Sequence, residues 1–82
     1  MTESFRELDT VVLLRDLPEA GLRAGDVGAI VHMNAPESLD VEFVTAAGTT
    51  QALVTLNVAD VRKARDNDLL AVRPAAPRRG VA

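Results

Sequence analysis

The chain has 82 residues, 48% of them apolar, a formal net charge of −3, two phenylalanines as its aromatic residues and no cysteine. This length fits one small domain, and the lack of cysteine excludes disulfides, thiolate metal sites and a cysteine nucleophile. The apolar run at residues 11–14 is far shorter than the ~20 residues that span a bilayer, and the N-terminus lacks the pattern of a signal peptide. We therefore expect a cytoplasmic protein with no membrane contact.

Charge is divided unevenly along the chain. Residues 1–60 carry ten acidic and three basic side chains, whereas residues 61–82 carry six basic and two acidic ones. An acidic body repels phosphate backbones, and the stacking aromatic residues typical of nucleic-acid modules are missing. The composition disfavours nucleic acid as a partner of the body and leaves the basic C-terminal segment as the place where it could bind.

The first predicted element is a strand at residues 10–14, which is β-branched and apolar on both faces. Pro18 and Gly21 end it, because proline lacks an amide donor and glycine permits positive φ. A tight turn at residues 25–28 then leads into a second strand at residues 29–33, and the alternation of its two faces extends back to Val27. One face of this strand carries Val27, Ala29, Val31 and Met33, and the other carries Gly28, Ile30 and His32.

The clearest pattern lies in the middle of the chain. Leu39, Val41 and Phe43 alternate with Asp40 and Glu42, which is the period of a half-buried strand. After a short loop at residues 47–49, apolar residues alternate again through residues 51–58. The two matched inward faces predict an antiparallel hairpin.

The end of the chain predicts one helical turn and one more strand. Asn57 can cap a turn in which Asp60 completes a capping box, and Val61 would pin this turn to the core. Residues 69–73 predict a final short strand that returns beside the first. The sequence thus predicts an all-β fold: a small five-stranded barrel at residues 9–73, an N-terminal arm at residues 1–8 and a disordered, basic tail at residues 74–82.

Several of these segments resemble one family of small bacterial proteins, domain of unknown function 4926. The resemblance is carried by Glu7–Glu19, Gly21–Val31, Val41–Val44, Ala52–Leu56 and Leu70–Arg73, and it spans about residues 5–73. It implies an SH3-like barrel without catalytic residues, and a genomic neighbourhood with small partner proteins in toxin–antitoxin-like pairs. The turn at residues 25–28 also resembles the entry turn of KOW-type and nitrile-hydratase-like SH3 barrels.

No constellation in the sequence supports catalysis. His32 is the one histidine, and Ser38 and Asp40 follow it, but no nucleophile elbow accompanies them. Residues 66–68 resemble the start of a calcium loop, yet Leu70 and Ala71 stand where an oxygen ligand and glycine are required. We expect no enzymatic activity, no metal and no cofactor.

The candidate partner interface combines a loop with exposed strand positions. Leu17, Pro18 and Leu22 follow the first strand, where loops on a rigid scaffold often bind, although Leu17 and Leu22 could equally plug the barrel end. Ile30 and Leu53 interrupt polar outer faces and predict a small apolar patch. Asp40 and Glu42 would steer a basic partner toward it.

We therefore expect a non-enzymatic protein-binding module, monomeric or homodimeric, that acts as an antitoxin-like or enzyme-accessory partner of a neighbouring gene product. The alternative is a KOW-type nucleic-acid accessory module. It would use the basic residues of the C-terminal part, namely Arg62, Lys63, Arg65, Arg78 and Arg79. A third hypothesis, a metallochaperone-like helper of a larger enzyme, follows from the nitrile-hydratase-like turn.

Overall fold

The computed structural model describes residues 4–75, which form one five-stranded antiparallel sheet. The strands are β1 (Thr10–Leu13), β2 (Val27–Asn34), β3 (Ser38–Val44), β4 (Thr50–Asn57) and β5 (Val61–Lys63), with 3₁₀ turns at Pro18–Ala20 and Val58–Asp60. Their order across the sheet is β4-β3-β2-β1-β5, which confirms the predicted all-β class. Within residues 4–75, no helix is long and apolar enough to cross a membrane.

The sheet is open rather than closed into a barrel. β4 and β5 form its two edges and are not hydrogen-bonded to each other. The five-stranded order remains compatible with the SH3-like topology that the resemblance implies, and the last strand does return beside the first, because β5 pairs with β1. The predicted closure into a barrel is wrong.

The fifth strand lies earlier in the chain than the sequence predicts. The predicted helical turn forms as a 3₁₀ turn, in which the Asn57 side chain accepts from the Ala59 N–H and the Asp60 carboxylate accepts from the Asn57 N–H. This tight turn places Val61 directly opposite Leu13 on β1. β5 occupies the side of β1 that residues 69–73 were predicted to take. These residues form no strand, and their prediction as a strand is wrong.

The predicted hairpin is confirmed as β3 and β4. Val41 lies opposite Val54 and Phe43 opposite Ala52, and the inward residues of β3 are buried while Asp40 and Glu42 stay partly exposed. The Thr45 N–H donates to the Thr49 carbonyl oxygen at 2.9 Å and closes the loop. The period-two pattern alone was sufficient to predict this hairpin, because it indicates both that the segments are strands and which of their faces is inward.

β2 presents the face opposite to the one the sequence favours. Ile30 lies opposite Val41 and Gly28 opposite Val11, so both point into the core, and Ile30 has 0% of its surface exposed. The prediction of Ile30 as part of an exposed patch is therefore wrong. The register shifts between Ile30 and His32, which leaves Val31 and His32 both exposed.

The β1–β2 loop closes one end of the core. Leu17 and Leu22 exchange backbone hydrogen bonds, each N–H donating to the other's carbonyl oxygen at 3.0 Å. Leu22 is 4% exposed and belongs to the core, and Leu17 packs against it half-buried. These leucines plug the end of the sheet, while Pro18 between them is exposed.

The ends of the described chain differ from each other. Phe5 packs against the core, and the Leu8 N–H donates to the Ile30 carbonyl oxygen at 2.7 Å, so part of the predicted N-terminal arm is attached to the sheet. Pro74 and Ala75 are exposed without regular structure. Most of the predicted flexible tail, with Arg78 and Arg79, lies outside the described residues.

Candidate functional site

The outer side of the β3–β4 hairpin brings together three of the predicted interface residues. Leu53 lies directly opposite Glu42, and Thr55 lies directly opposite Asp40. Directly opposed residues of an antiparallel pair share one face of the sheet. We call the surface formed by Asp40, Glu42, Leu53 and Thr55 the hairpin face. Leu53 is 59% exposed, so this face presents one apolar side chain beside two carboxylates.

Hydroxyl groups hold both carboxylates of the hairpin face in place. Thr50 Oγ1 donates to Glu42 Oε2 at 2.6 Å, and Thr55 Oγ1 donates to Asp40 Oδ1 at 2.6 Å. Asn34 Nδ2 also donates to Asp40 Oδ1, at 3.1 Å. The Thr55 hydrogen bond, with a smaller contribution from Asn34, lowers the pKa of Asp40. The Asp40 charge is thus fixed in position as well as ionised near neutral pH.

His32 lies at the border of the hairpin face. It is opposite Asp40 across the β2–β3 pair, and its Nδ1 is 4.0 Å from Glu7 Oε2, with both side chains 61% exposed. Ser38 pairs with Asn34 at the far end of β3. In the part of the chain that the structure describes, no group of three or more histidine and acidic side chains is arranged to hold a metal ion.

The remaining predicted interface residues do not join this surface. Leu22 and Ile30 are in the core, and Leu17 and Pro18 belong to the β1–β2 loop. The sequence pattern could not tell which of the predicted interface residues are buried and which are exposed. A lone apolar residue in a loop or on a strand has no periodicity that assigns it to the inner or the outer face.

Basic side chains of the C-terminal half face acidic partners. Arg62 Nη2 is 2.8 Å from Asp68 Oδ1, and Lys63 Nζ is 3.5 Å from Asp9 Oδ2. The backbone N–H of Arg65 also donates to Asp68, at 2.6 Å from its Oδ2. Arg62 and Lys63, two of the residues proposed for nucleic-acid contact, thus pair with carboxylates of the chain itself, which reduces the positive field that a phosphate backbone would meet.

A groove of about 440 Å³ was missed by the sequence analysis. It lies between the β1–β2 loop, the turn end of the β3–β4 hairpin and residues 70–75. Arg73 attaches this segment by an ion pair with Asp26, and its Nη2 also donates to the Gly21 carbonyl oxygen at 3.3 Å. Asp26 and Arg73 are 47 residues apart, so no local sequence pattern predicts their pairing. The groove therefore depends on the tertiary structure.

The comparison with known proteins identifies the family. The family model described as "Domain of unknown function (DUF4926)" matches residues 7–63, which includes all five strands and the hairpin face. No curated protein and no solved structure is significantly similar to the chain. Because the family model matches more than half of the sequence, the chain belongs to the DUF4926 family.

Proposed function

We propose that this protein is a non-enzymatic protein-binding module and that the hairpin face is its docking surface. The observation that supports this proposal is the position of Leu53, 59% exposed on a strand and directly opposite the carboxylate of Glu42. An exposed leucine on a rigid strand can enter a partner's pocket at little conformational cost, since the backbone around it is already ordered.

The charges of the hairpin face indicate the chemistry of the partner. Asp40 and Glu42 project beside Leu53 and are oriented by Thr55 and Thr50. Fixed carboxylates accelerate association with a basic surface and repel an acidic one. The partner we propose has an apolar pocket bordered by lysine or arginine side chains.

The biological role that we propose is that of an antitoxin-like or enzyme-accessory protein in the bacterial cytoplasm, which occludes the surface of a protein encoded nearby. Occlusion requires no reaction chemistry from this chain. It requires a stable small scaffold and a surface that recognises one partner, and the exposed Leu53 beside two oriented carboxylates supports the hairpin face as that surface.

The test is site-specific photo-crosslinking in the native host, with a photoreactive amino acid in place of Leu53. The matched control places the same amino acid at Leu8, which is 81% exposed and outside the hairpin face. We expect a covalent adduct with one protein other than this chain at position 53 and not at position 8. Equal adduct patterns at both positions would contradict the proposal.

Purified partner then allows a quantitative test. Leu53→Ser should weaken binding by about 10- to 100-fold, the range of a small hot spot. Asp40→Asn combined with Glu42→Gln should slow association mainly at low salt, because these side chains steer the encounter. Unchanged affinity of the Leu53→Ser variant would exclude the hairpin face as the docking surface.

A further inference from the structure

The two edges of the sheet are built differently. β5 has three residues, of which Arg62 and Lys63 are charged, and Arg62 is bonded to Asp68 in the turn that follows. β4 has eight residues, Thr50–Asn57, with no charged residue, no proline and no glycine. Short length and charge are the usual devices that keep an edge strand from pairing with another chain. β5 has both devices and β4 has neither.

The backbone of β4 has an unpaired side. β4 is hydrogen-bonded to β3 along its whole length and is the edge of the sheet, and no strand among residues 4–75 lies on its other side. Within residues 4–75, the β1–β2 loop reaches β4 at its start, where Gln51 Nε2 donates to the Ala20 carbonyl oxygen at 3.2 Å. At its end, the Asn57 N–H is bonded to Asp60. Between these points the outward N–H and C=O groups of the strand are available to another strand.

We infer that β4 pairs with β4 of a second copy of this chain, antiparallel and around a two-fold axis at Leu53. This register places Leu53 opposite Leu53 of the second copy on the outer face. It places Ala52 opposite Val54 on the inner face and ends before Gln51, which lies at the register shift of the β3–β4 pair and whose side chain is bonded to the β1–β2 loop. Every pair joins residues that already share a face, as the period of a strand requires.

The self-complementarity of β4 is what selects a second copy as the occupant. In a two-fold interface, if a residue of one copy contacts a second residue of the other copy, the reverse contact also forms. An edge strand that pairs with itself in this way must therefore be compatible with its own sequence read in the opposite direction. β4 does so, because it places no like charges opposite each other and brings its exposed leucine against an identical one. The carboxylates of Asp40 and Glu42 lie one strand away on β3, about 5 Å from the seam.

Pairing would produce a continuous ten-stranded sheet and would place two hairpin faces side by side. The dimer goes beyond the proposed function and does not depend on it, because it is measured on the purified chain without any other protein. Failure to capture a different protein in the native host would leave the dimer standing, because a second copy can still be crosslinked at position 53, and a monomeric chain could still bind a partner.

The chain contains no cysteine, so a single introduced thiol reports the register directly. Directly opposed residues have Cα atoms about 4.5–5.5 Å apart, within the range of a disulfide. Leu53→Cys should form a disulfide-linked dimer under mild oxidation, at least about tenfold faster than Thr55→Cys on the same face. Equal rates, or faster crosslinking at position 55, would overturn the proposed pairing.

The mass in solution provides the second measurement, by light scattering or sedimentation over a concentration series. The native chain should show twice the mass of the monomer. Leu53→Lys should weaken self-association at least about tenfold, because two ammonium groups would then face each other. The control is Val44→Lys, at a residue that is 56% exposed but lies on β3. A native chain that is monomeric at all concentrations, or equal weakening by both variants, would overturn the inference.

Discussion

Arg73 forms an ion pair with Asp26 and thereby joins the C-terminal segment to the loop that precedes β2. Arg73 Nε also donates to Asp26 Oδ1 at 3.1 Å, so the contact is bidentate. The two side chains are 26% and 21% exposed. The neighbouring residues Leu69, Leu70 and Val72 are all at least 70% exposed, so this ion pair is a principal attachment of the segment.

Arg73→Ala should therefore release the segment without unfolding the sheet. We expect faster amide hydrogen exchange over residues 70–75 and a loss of unfolding free energy of less than about 1 kcal/mol, as is usual for a partly exposed ion pair. The control is Arg15→Ala, which breaks the exposed Arg15–Asp60 pair and should leave exchange at residues 70–75 unchanged. Unaltered exchange in the Arg73→Ala variant would show that the segment is held by other contacts.

Gly28→Ala should destabilise the core. A Cβ atom at this position would lie 2.8 Å from Val41 Cγ1 and 2.9 Å from the Glu42 carbonyl oxygen. The carbonyl belongs to the paired strand β3 and cannot move aside without breaking the sheet, so we expect a loss of about 1–3 kcal/mol in denaturant unfolding. Gly48→Asn is the control, since Gly48 has φ +84° and open space around it, and asparagine tolerates that conformation. Equal stability of the Gly28→Ala variant and the native chain would contradict the observed register of β2.

Asn57→Ala should lower the unfolding free energy by about 1 kcal/mol, because it removes the side-chain cap of the turn between β4 and β5. Asn57 Oδ1 accepts from the Ala59 N–H at 2.9 Å, a bond that alanine cannot replace. Thermal or denaturant unfolding measures the effect. Asn67→Ala, at an exposed turn position, is the control and should change stability by less than about 0.5 kcal/mol.

Acid unfolding should depend on Asp68. The hydrogen bond from Arg62, with the Arg65 N–H as the second contribution, lowers the pKa of Asp68 from 3.8 to about 2. Because the folded-state pKa lies below the unfolded value, the ionised carboxylate favours the folded chain above about pH 4. This stabilisation is lost as the pH falls from about 4 toward 2.

Asp68→Asn should accordingly be less stable than the native chain at neutral pH, and the difference should shrink as the pH falls through that window. Arg62→Gln removes the other member of the pair and should flatten the acid profile in the same way. Unfolding curves at a series of pH values measure both. A stability difference that stays constant between pH 4 and 2 would show that Asp68 is not linked to folding through its charge.

The elements that could be predicted from the sequence are those that are determined by residues close together in the chain. Leu39, Val41 and Phe43 alternate with acids, and this alternation defines both a strand and its inward face. Asn57 and Asp60 are three residues apart, and each side chain accepts a hydrogen bond from a backbone N–H of the same turn. The cap can therefore be predicted without any long-range contact. Family membership rests on the same local segments.

The segment at residues 69–73 shows where local reasoning ends. Its apolar composition is typical of a strand, but the side of β1 where it was predicted to pair is occupied by β5. Strand propensity describes how well a side chain fits a half-buried pleated sheet. It does not tell whether a neighbouring strand is present to pair with.

By itself the sequence determined an all-β chain with a hairpin at its centre and a capped turn after it. It also determined that the outer face of this hairpin carries two acidic side chains and one leucine. The tertiary structure alone decided that Ile30 points inward, that the sheet stays open between β4 and β5, and that Arg73 meets Asp26. The reason is that a residue's own neighbours set the period of a strand, whereas its burial, its pairing strand and its ionic partner depend on segments distant in the chain.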